Sequence, residues 1–144
     1  MDTGLKDKTV LITGASGGIG TACAKKFASE GAKIILHGYK NTKKLEKIKE
    51  KIKVESIIVK ANLRDETNVR EMFSTVENQW GKLDCLVANA GIWPEAETPI
   101  KDMSLERWNN TISTDQTSVF LCSREFLKNV EKYETESPSI VIIG

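Results

Sequence analysis

Short apolar runs alternate along the chain with longer segments of helical period. The runs are Thr9-Val10-Leu11-Ile12, Ile34-Ile35-Leu36, Ile57-Ile58-Val59, Leu83 to Ala88 and Ile140 to Ile143. Each is rich in β-branched residues or leucine and apolar on successive positions, as strands covered on both faces read. Between them, apolar residues recur at intervals of three and four. One stripe holds Ile19, Ala22, Cys23 and Phe27, a second Leu45, Ile48 and Ile52, a third Val69, Met72, Phe73, Val76 and Trp80. A fourth runs Leu105, Trp108, Ile112, then Val119, Cys122 and Phe126. Gly31 and Gly81 stand where the first and third helices should stop. The order β-α-β-α-β-α-β-α-β predicts an α/β fold: a doubly wound, Rossmann-like parallel sheet of five strands with helices on both faces. Trp93 to Pro99 reads as a surface loop, broken by Pro94 and Pro99. No repeat or linker divides the chain, so residues 1–144 read as a single domain.

Composition narrows the function. Lysine and arginine number 21 against 20 acidic residues, so bulk charge argues against a nucleic-acid or anionic-membrane partner. The longest aliphatic run is far short of a membrane span. The N-terminus has no signal-peptide stretch, and Cys23, Cys85 and Cys122 form neither a disulfide framework nor a zinc pattern. A cytoplasmic, reduced protein is expected. Each cysteine lies in an apolar segment and is read as core. The single histidine, His37, is read as strand-end packing, and no metal site is expected.

The first strand runs into Thr13-Gly14-Ala15-Ser16-Gly17-Gly18-Ile19-Gly20. A glycine-rich turn here places backbone N–H groups at a helix N-terminus, where they meet a pyrophosphate. Gly14 permits the tight turn, Gly18 lets the backbone approach phosphate, and Gly20 lets the helix lie close to the strand. The spacing is G-x-x-x-G-x-G rather than the commoner G-x-G-x-x-G.

That turn, with Asn89-Ala90-Gly91 after the fourth strand and Leu83-Asp84-Cys85-Leu86-Val87 leading into it, resembles the short-chain dehydrogenase/reductase family, in particular its 3-oxoacyl reductase-like and sugar-dehydrogenase-like members. The resemblance runs from about Leu5 to Gly144. It implies an oxidoreductase that moves a hydride between a nicotinamide dinucleotide and a small carbonyl or alcohol. It further implies cofactor contacts at Gly14, Ser16, Gly17, Gly18, Ile19, Gly20, Tyr39, Lys40, Asn62, Leu63, Asn89, Ala90 and Gly91. Family members continue beyond the fifth strand, through a catalytic serine and a Y-x-x-x-K pair, to a sheet of seven strands. The chain is therefore expected to be a C-terminally shortened domain without catalysis of its own. Tyr39 and Lys43 match Y-x-x-x-K by letter but follow the second strand at the adenosine end, and Tyr133 is followed by Ser137 at that spacing. The alternative is a non-catalytic nucleotide-binding or interaction module from a split or decayed reductase.

Asp115 interrupts the fourth apolar stripe among poor helix formers: Thr111, Ser113, Thr114, Thr117 and Ser118. An unpaired carboxylate facing a core is costly, so a local bend or water-filled break is expected there. By resemblance it stands at the family's catalytic asparagine, and Gln116 and Ser118 also depart from the family pattern. Cofactor choice turns on the second strand's end. No acidic residue lies between Gly31 and Glu46, and the expected acidic position is Gly38. Lys40, with Lys43 or Lys44 behind it, suits a ribose 2′-phosphate, so NADP is preferred over NAD. Asn62 stands where the family cradles adenine with an aspartate. An exposed fifth strand and Phe120 and Leu127 on the fourth helix predict a homo-oligomer.

Overall fold

The computed structural model describes residues 3–40, 42–93 and 96–144. Its strands are β1 (Thr9–Ile12), β2 (Lys33–Gly38), β3 (Ser56–Lys60), β4 (Cys85–Ala88) and β5 (Ser139–Ile142). Its helices are α1 (Gly18–Ser29), α2 (Lys43–Ile52), α3 (Glu66–Trp80), α4 (Leu105–Ile112) and α5 (Ser118–Tyr133), with a 3-10 turn at Ile100–Asp102 and a π turn at Ser113–Thr117 between α4 and α5. The strands form one sheet in the order β3-β2-β1-β4-β5, and every neighbouring pair is parallel. The chain winds outward from β1 to β3, then crosses β1 to lay down β4 and β5. The strand order thus reverses between β1 and β4, and a crevice opens at their C-terminal ends, where such sheets hold ligands.

The runs at β1, β2 and β4 form strands covered on both faces; the run at β5, expected to be covered likewise, lies at the sheet edge and leaves Val141 and Ile142 exposed. On one face Leu11, Ile35, Val59 and Leu86 pack with Val69, Met72, Phe73 and Val76 of α3 and Leu121, Cys122 and Phe126 of α5. On the other, Val10, Ile12, Ile34, Leu36, Cys85 and Val87 pack with Ala24 and Ala28 of α1 and Leu45, Ile48 and Ile52 of α2. Burial pushes the Cys122 thiol up to about 12 and raises that of Cys85, so both remain protonated core groups. At the opposite end of the sheet, the Asp84 carboxylate accepts the Thr9 N–H at 2.9 Å and lies 3.3 Å from both Lys8 Nζ and Lys82 Nζ. The Asn129 side chain accepts the Leu83 N–H at 2.8 Å and donates to the Gly81 carbonyl at 3.0 Å. These polar bonds seat β4 beside β1 and α5 against the turn before β4.

Two helix faces differ from the periodic reading. In α1 the buried positions are Gly20, Ala24 and Ala28, one step on from the expected stripe, and Ile19 is 56% exposed. The helix lies close to the sheet, and only small side chains fit between them. In α4 no residue is buried, and Leu105 and Trp108 face solvent. The expected stripe covers core only from α5 onward. The irregularity expected around Asp115 is the π turn itself, and Asp115 is half-buried there rather than facing the core. In the loop expected at Trp93 to Pro99, the Arg107 guanidinium bonds the Thr98 hydroxyl and the Ala96 carbonyl. Pro94 lies outside the described residues.

Candidate functional site

The site begins where β1 ends. Thr13 uses all of its hydroxyl's capacity: Oγ1 accepts the N–H groups of Asn89 and Ala90 at 2.9 Å each and donates to the Val87 carbonyl at 3.3 Å. The Asn89 amide answers from the other side, its Nδ2 donating to the carbonyls of Thr13 at 2.9 Å and Gly14 at 3.2 Å. The turn after β1 and the segment after β4 are therefore bolted together. Two glycines are needed for this fit. Gly14 has φ +61°, and a Cβ there would stand 2.8 Å from the Ala90 Cα. A Cβ on Gly20 would stand 2.5 Å from the Gly14 carbonyl oxygen and 2.9 Å from Asn89 Nδ2.

Gly18 is different. It opens α1, its φ is ordinary, and a Cβ built on it meets nothing within 4 Å. The helix has no side-chain cap and no acidic residue in its first turn. Its first N–H groups lack intrahelical partners and carry the positive end of the helix dipole. Ser16, Gly17, Gly18 and Ile19 all line one cavity of about 900 Å³ in the crevice, a size suited to a small-molecule ligand. The space over Gly18, at the positive end of the helix dipole, is open.

The same cavity is lined by Gly14, Tyr39, Lys40, Asn62, Leu63, Asn89, Ala90 and Gly91. Of the cofactor contacts expected from the sequence, only Gly20 does not line it; Gly20 serves beneath the turn. At one end, Gly38, Tyr39 and Lys40 face Asn62 and Arg64. Lys40 Nζ lies 5.6 Å from the centre of the Tyr39 ring. Arg64 was not foreseen. Its N–H and Nε bond Asn62 Oδ1 at 3.3 Å each, and Nη1 donates to Asn110 Oδ1 at 2.6 Å. Arg64 thus links the end of β3 to α4. Lys40 and Arg64 are the charged side chains among the described lining residues, and no carboxylate lines the cavity there. Both of these charges are positive.

Ile92, Trp93, Asn110, Thr114 and Ser118 also line the cavity, and sequence reasoning missed them too. Only the fold brings the end of α4 and the π turn over β4. Asp115 does not line the cavity. Its Oδ1 accepts the Ile92 N–H at 2.8 Å and lies 3.2 Å from where a Gly91 Cβ would be. The hydrogen bond meets the need for a partner that a half-buried carboxylate creates. It also ties the π turn to the segment after β4, an acceptor task that an asparagine oxygen would serve as well. His37, expected to be packing alone, is buried at the cavity floor and bonds both Gly14 and Ala61.

A sequence model of a family described as short chain dehydrogenase matches residues 8–144. The chain is 37% identical to a 2,3-dihydro-2,3-dihydroxybenzoate dehydrogenase of Bacillus subtilis, in a match that covers 98% of this chain and 53% of that protein. It is 36% identical to a 3-oxoacyl-(acyl-carrier-protein) reductase of Staphylococcus aureus, over 80% of this chain and 47% of that one. A solved structure of a short-chain dehydrogenase/reductase variant of Serratia marcescens superposes with a TM-score of 0.87 at 24% identity, over 97% of this chain and 56% of the other. That likeness concerns the fold. The chain spans about half the length of these curated relatives.

Proposed function

Because the chain belongs to the short-chain dehydrogenase family, we propose that it is the nucleotide-holding part of an NADP-dependent oxidoreductase acting on a small carbonyl or alcohol. The observation that carries this reading is the open cradle at Gly18, beneath an uncapped helix start and inside a cavity whose charged lining residues are Lys40 and Arg64. Gly17, Gly18 and Ile19 offer N–H groups to the pyrophosphate, and Asn62 and Leu63 flank the adenine. Asn89, Ala90 and Gly91 hold the middle of the dinucleotide against the turn. When bound, the cofactor supplies or accepts the hydride.

The NADP preference follows from what faces the ribose. A 2′-OH is ordinarily held by a carboxylate, and none lines that end among the described residues. A 2′-phosphate meets the Lys40 ammonium instead. In a fluorescence titration, NADPH is expected to bind about tenfold tighter than NADH, the size of one charge-assisted contact. Lys40→Glu should remove the difference. Equal affinity in the unmodified chain, or tighter NADH, would overturn the preference.

Chemistry at a carbonyl also needs a proton from a positioned acid. Tyr39 lines the adenosine end, and Tyr133 stands against Gly81, away from the cavity. Neither is placed to serve a carbonyl beside Asn89 to Trp93. These 144 residues alone are therefore expected to show no reduction, and ketone turnover at about 1 per second or faster would refute this. The second reading, a non-catalytic nucleotide-binding module, rests on the same lack of a donor. If a separate fragment bearing Y-x-x-x-K restores turnover, the enzyme reading stands; if it does not, the module does.

The cofactor-holding chain is also proposed to self-associate. On the β5 edge Val141 and Ile142 are exposed, and on α5 so are Phe120 and Leu127. An open strand edge beside apolar side chains favours pairing between chains. Light scattering at micromolar concentration should show a dimer or larger species, and a monomer would remove the proposal.

A further inference from the structure

His37 interrupts an otherwise aliphatic strand, Ile34-Ile35-Leu36, at the point where regular pairing with β1 stops at Ile12 and Leu36. Its side chain is 2% exposed. Nδ1 lies 3.2 Å from the Gly14 nitrogen, and Nε2 lies 3.1 Å from the Ala61 carbonyl oxygen. The partners fix the proton. A backbone N–H can only donate, so Nδ1 is bare; a carbonyl can only accept, so Nε2 carries the hydrogen. The ring is thus neutral, and burial, opposed in part by the Ala61 bond, pulls its pKa down to about 4. The main chain repeats the linkage: the Ala15 N–H donates to the His37 carbonyl at 2.9 Å, and the Ala61 N–H to the Gly38 carbonyl at 3.3 Å.

Gly14 begins the turn that faces a pyrophosphate, and Ala61 immediately precedes Asn62 and Leu63 at the adenine end. A leucine or valine would fill the same volume and continue the aliphatic pattern, but would leave the Gly14 N–H without this acceptor. We propose that His37 is a positioning residue for the dinucleotide: its ring holds the phosphate turn and the end of β3 in one fixed relation, which a ligand spanning both must match. The inference rests on the nucleotide reading of the cavity. It distinguishes ligands by their span. A dinucleotide engages both ends, whereas adenosine 2′-monophosphate engages only the adenosine end.

The test compares the unmodified chain, His37→Phe and His37→Asn by titration with NADPH and with adenosine 2′-monophosphate. His37→Phe is expected to weaken NADPH about tenfold, the effect of about one lost hydrogen bond on a spanning ligand. It should leave the monophosphate within about twofold. His37→Asn offers an amide oxygen to the Gly14 N–H and should bring NADPH back to within about threefold of the unmodified chain. Unchanged NADPH binding by a folded Phe variant overturns the inference, and so does equal loss of both ligands. An unmodified chain that binds the monophosphate and NADPH equally well also overturns it, while leaving the nucleotide reading intact. If that chain binds neither, the nucleotide reading fails and this inference with it. Should the Phe variant not fold, nitrogen NMR of the unmodified chain decides. The sequence has one histidine, so the imidazole signals are those of His37. They are expected to show a bare Nδ1 and a protonated Nε2, with and without NADPH; a protonated Nδ1 at neutral pH overturns the inference.

Discussion

Gly18→Asp is expected to abolish NADPH binding, weakening it on the order of a hundredfold or more, without disturbing the fold. A Cβ at this position meets no atom within 4 Å, and the backbone is not in the left-handed region. The substitution therefore introduces neither strain nor overlap in the free chain. What it adds is a side chain in the open space over the start of α1, and a carboxylate where the ligand brings phosphate. Like charges at contact distance in a partly enclosed site cost several kcal/mol, enough for a loss of this size. The checks are a fluorescence titration and a melting curve. Affinity within about threefold of the parent, or a melting temperature lower by more than about 5 °C, would show that the space over Gly18 has another purpose.

Gly14→Ala should show the opposite signature, a loss of stability first and foremost. Two costs add. An L-residue at φ +61° is strained by about 1–2 kcal/mol. Its Cβ would overlap the Ala90 backbone, 2.8 Å from Cα and 3.2 Å from N, and relieving such overpacking typically costs about 1–3 kcal/mol. Ala90 has little room to yield, since its own N–H is held by Thr13 Oγ1. The expected total is about 3 kcal/mol, or a fall in melting temperature of about 10 °C for a domain of this size. Urea unfolding should show a lower midpoint with an unchanged slope. A midpoint equal to the parent's would mean that the two loops are not held together in solution as they are here.

The strands were the most legible part of the chain. Val10 to Ile12 and Ile34 to Leu36 are wholly buried, and a segment covered on both faces can be little else but aliphatic. In α1 the expected stripe holds in part: Cys23 and Phe27 pack against the core at its margin, while Ile19 is exposed. Where a helix touches a sheet closely, size decides, and Gly20, Ala24 and Ala28 take the most buried positions, ahead of Ile19. The irregularity at Asp115 was legible from poor helix formers around a charge. The pairing of its carboxylate with Ile92, 23 positions away, was not. The phosphate turn could be read because its requirement is local: several backbone N–H groups and no side chains in the way. Arg64, Asn110, Trp93 and Ser118 carried no comparable signal. They reach the cavity only because the end of β3 and the helix after β4 are brought together across it. His37 did carry one, a lone polar residue in an aliphatic strand, but its two partners are backbone groups, and those leave no trace in sequence.

The bolts between Thr13 and Asn89 join residues 76 positions apart. The glycine motif is written in the first twenty residues, yet its shape depends on a segment made much later. At a synthesis rate of about 5–20 residues per second, roughly 4–15 seconds separate the two on the ribosome. Joining them closes a long loop, at an entropic cost on the order of 4 kcal/mol. Until β4 docks beside β1, the Thr13 hydroxyl lacks its Val87, Asn89 and Ala90 partners, and the turn is held by the Gly17 N–H on the Gly14 carbonyl and by its bonds to His37, without the Asn89 amide that closes it. A nucleotide that binds only the finished turn would then stabilise the docked chain by mass action. It would act late in folding, as a latch on the β1–β4 crossover rather than as a nucleus for it.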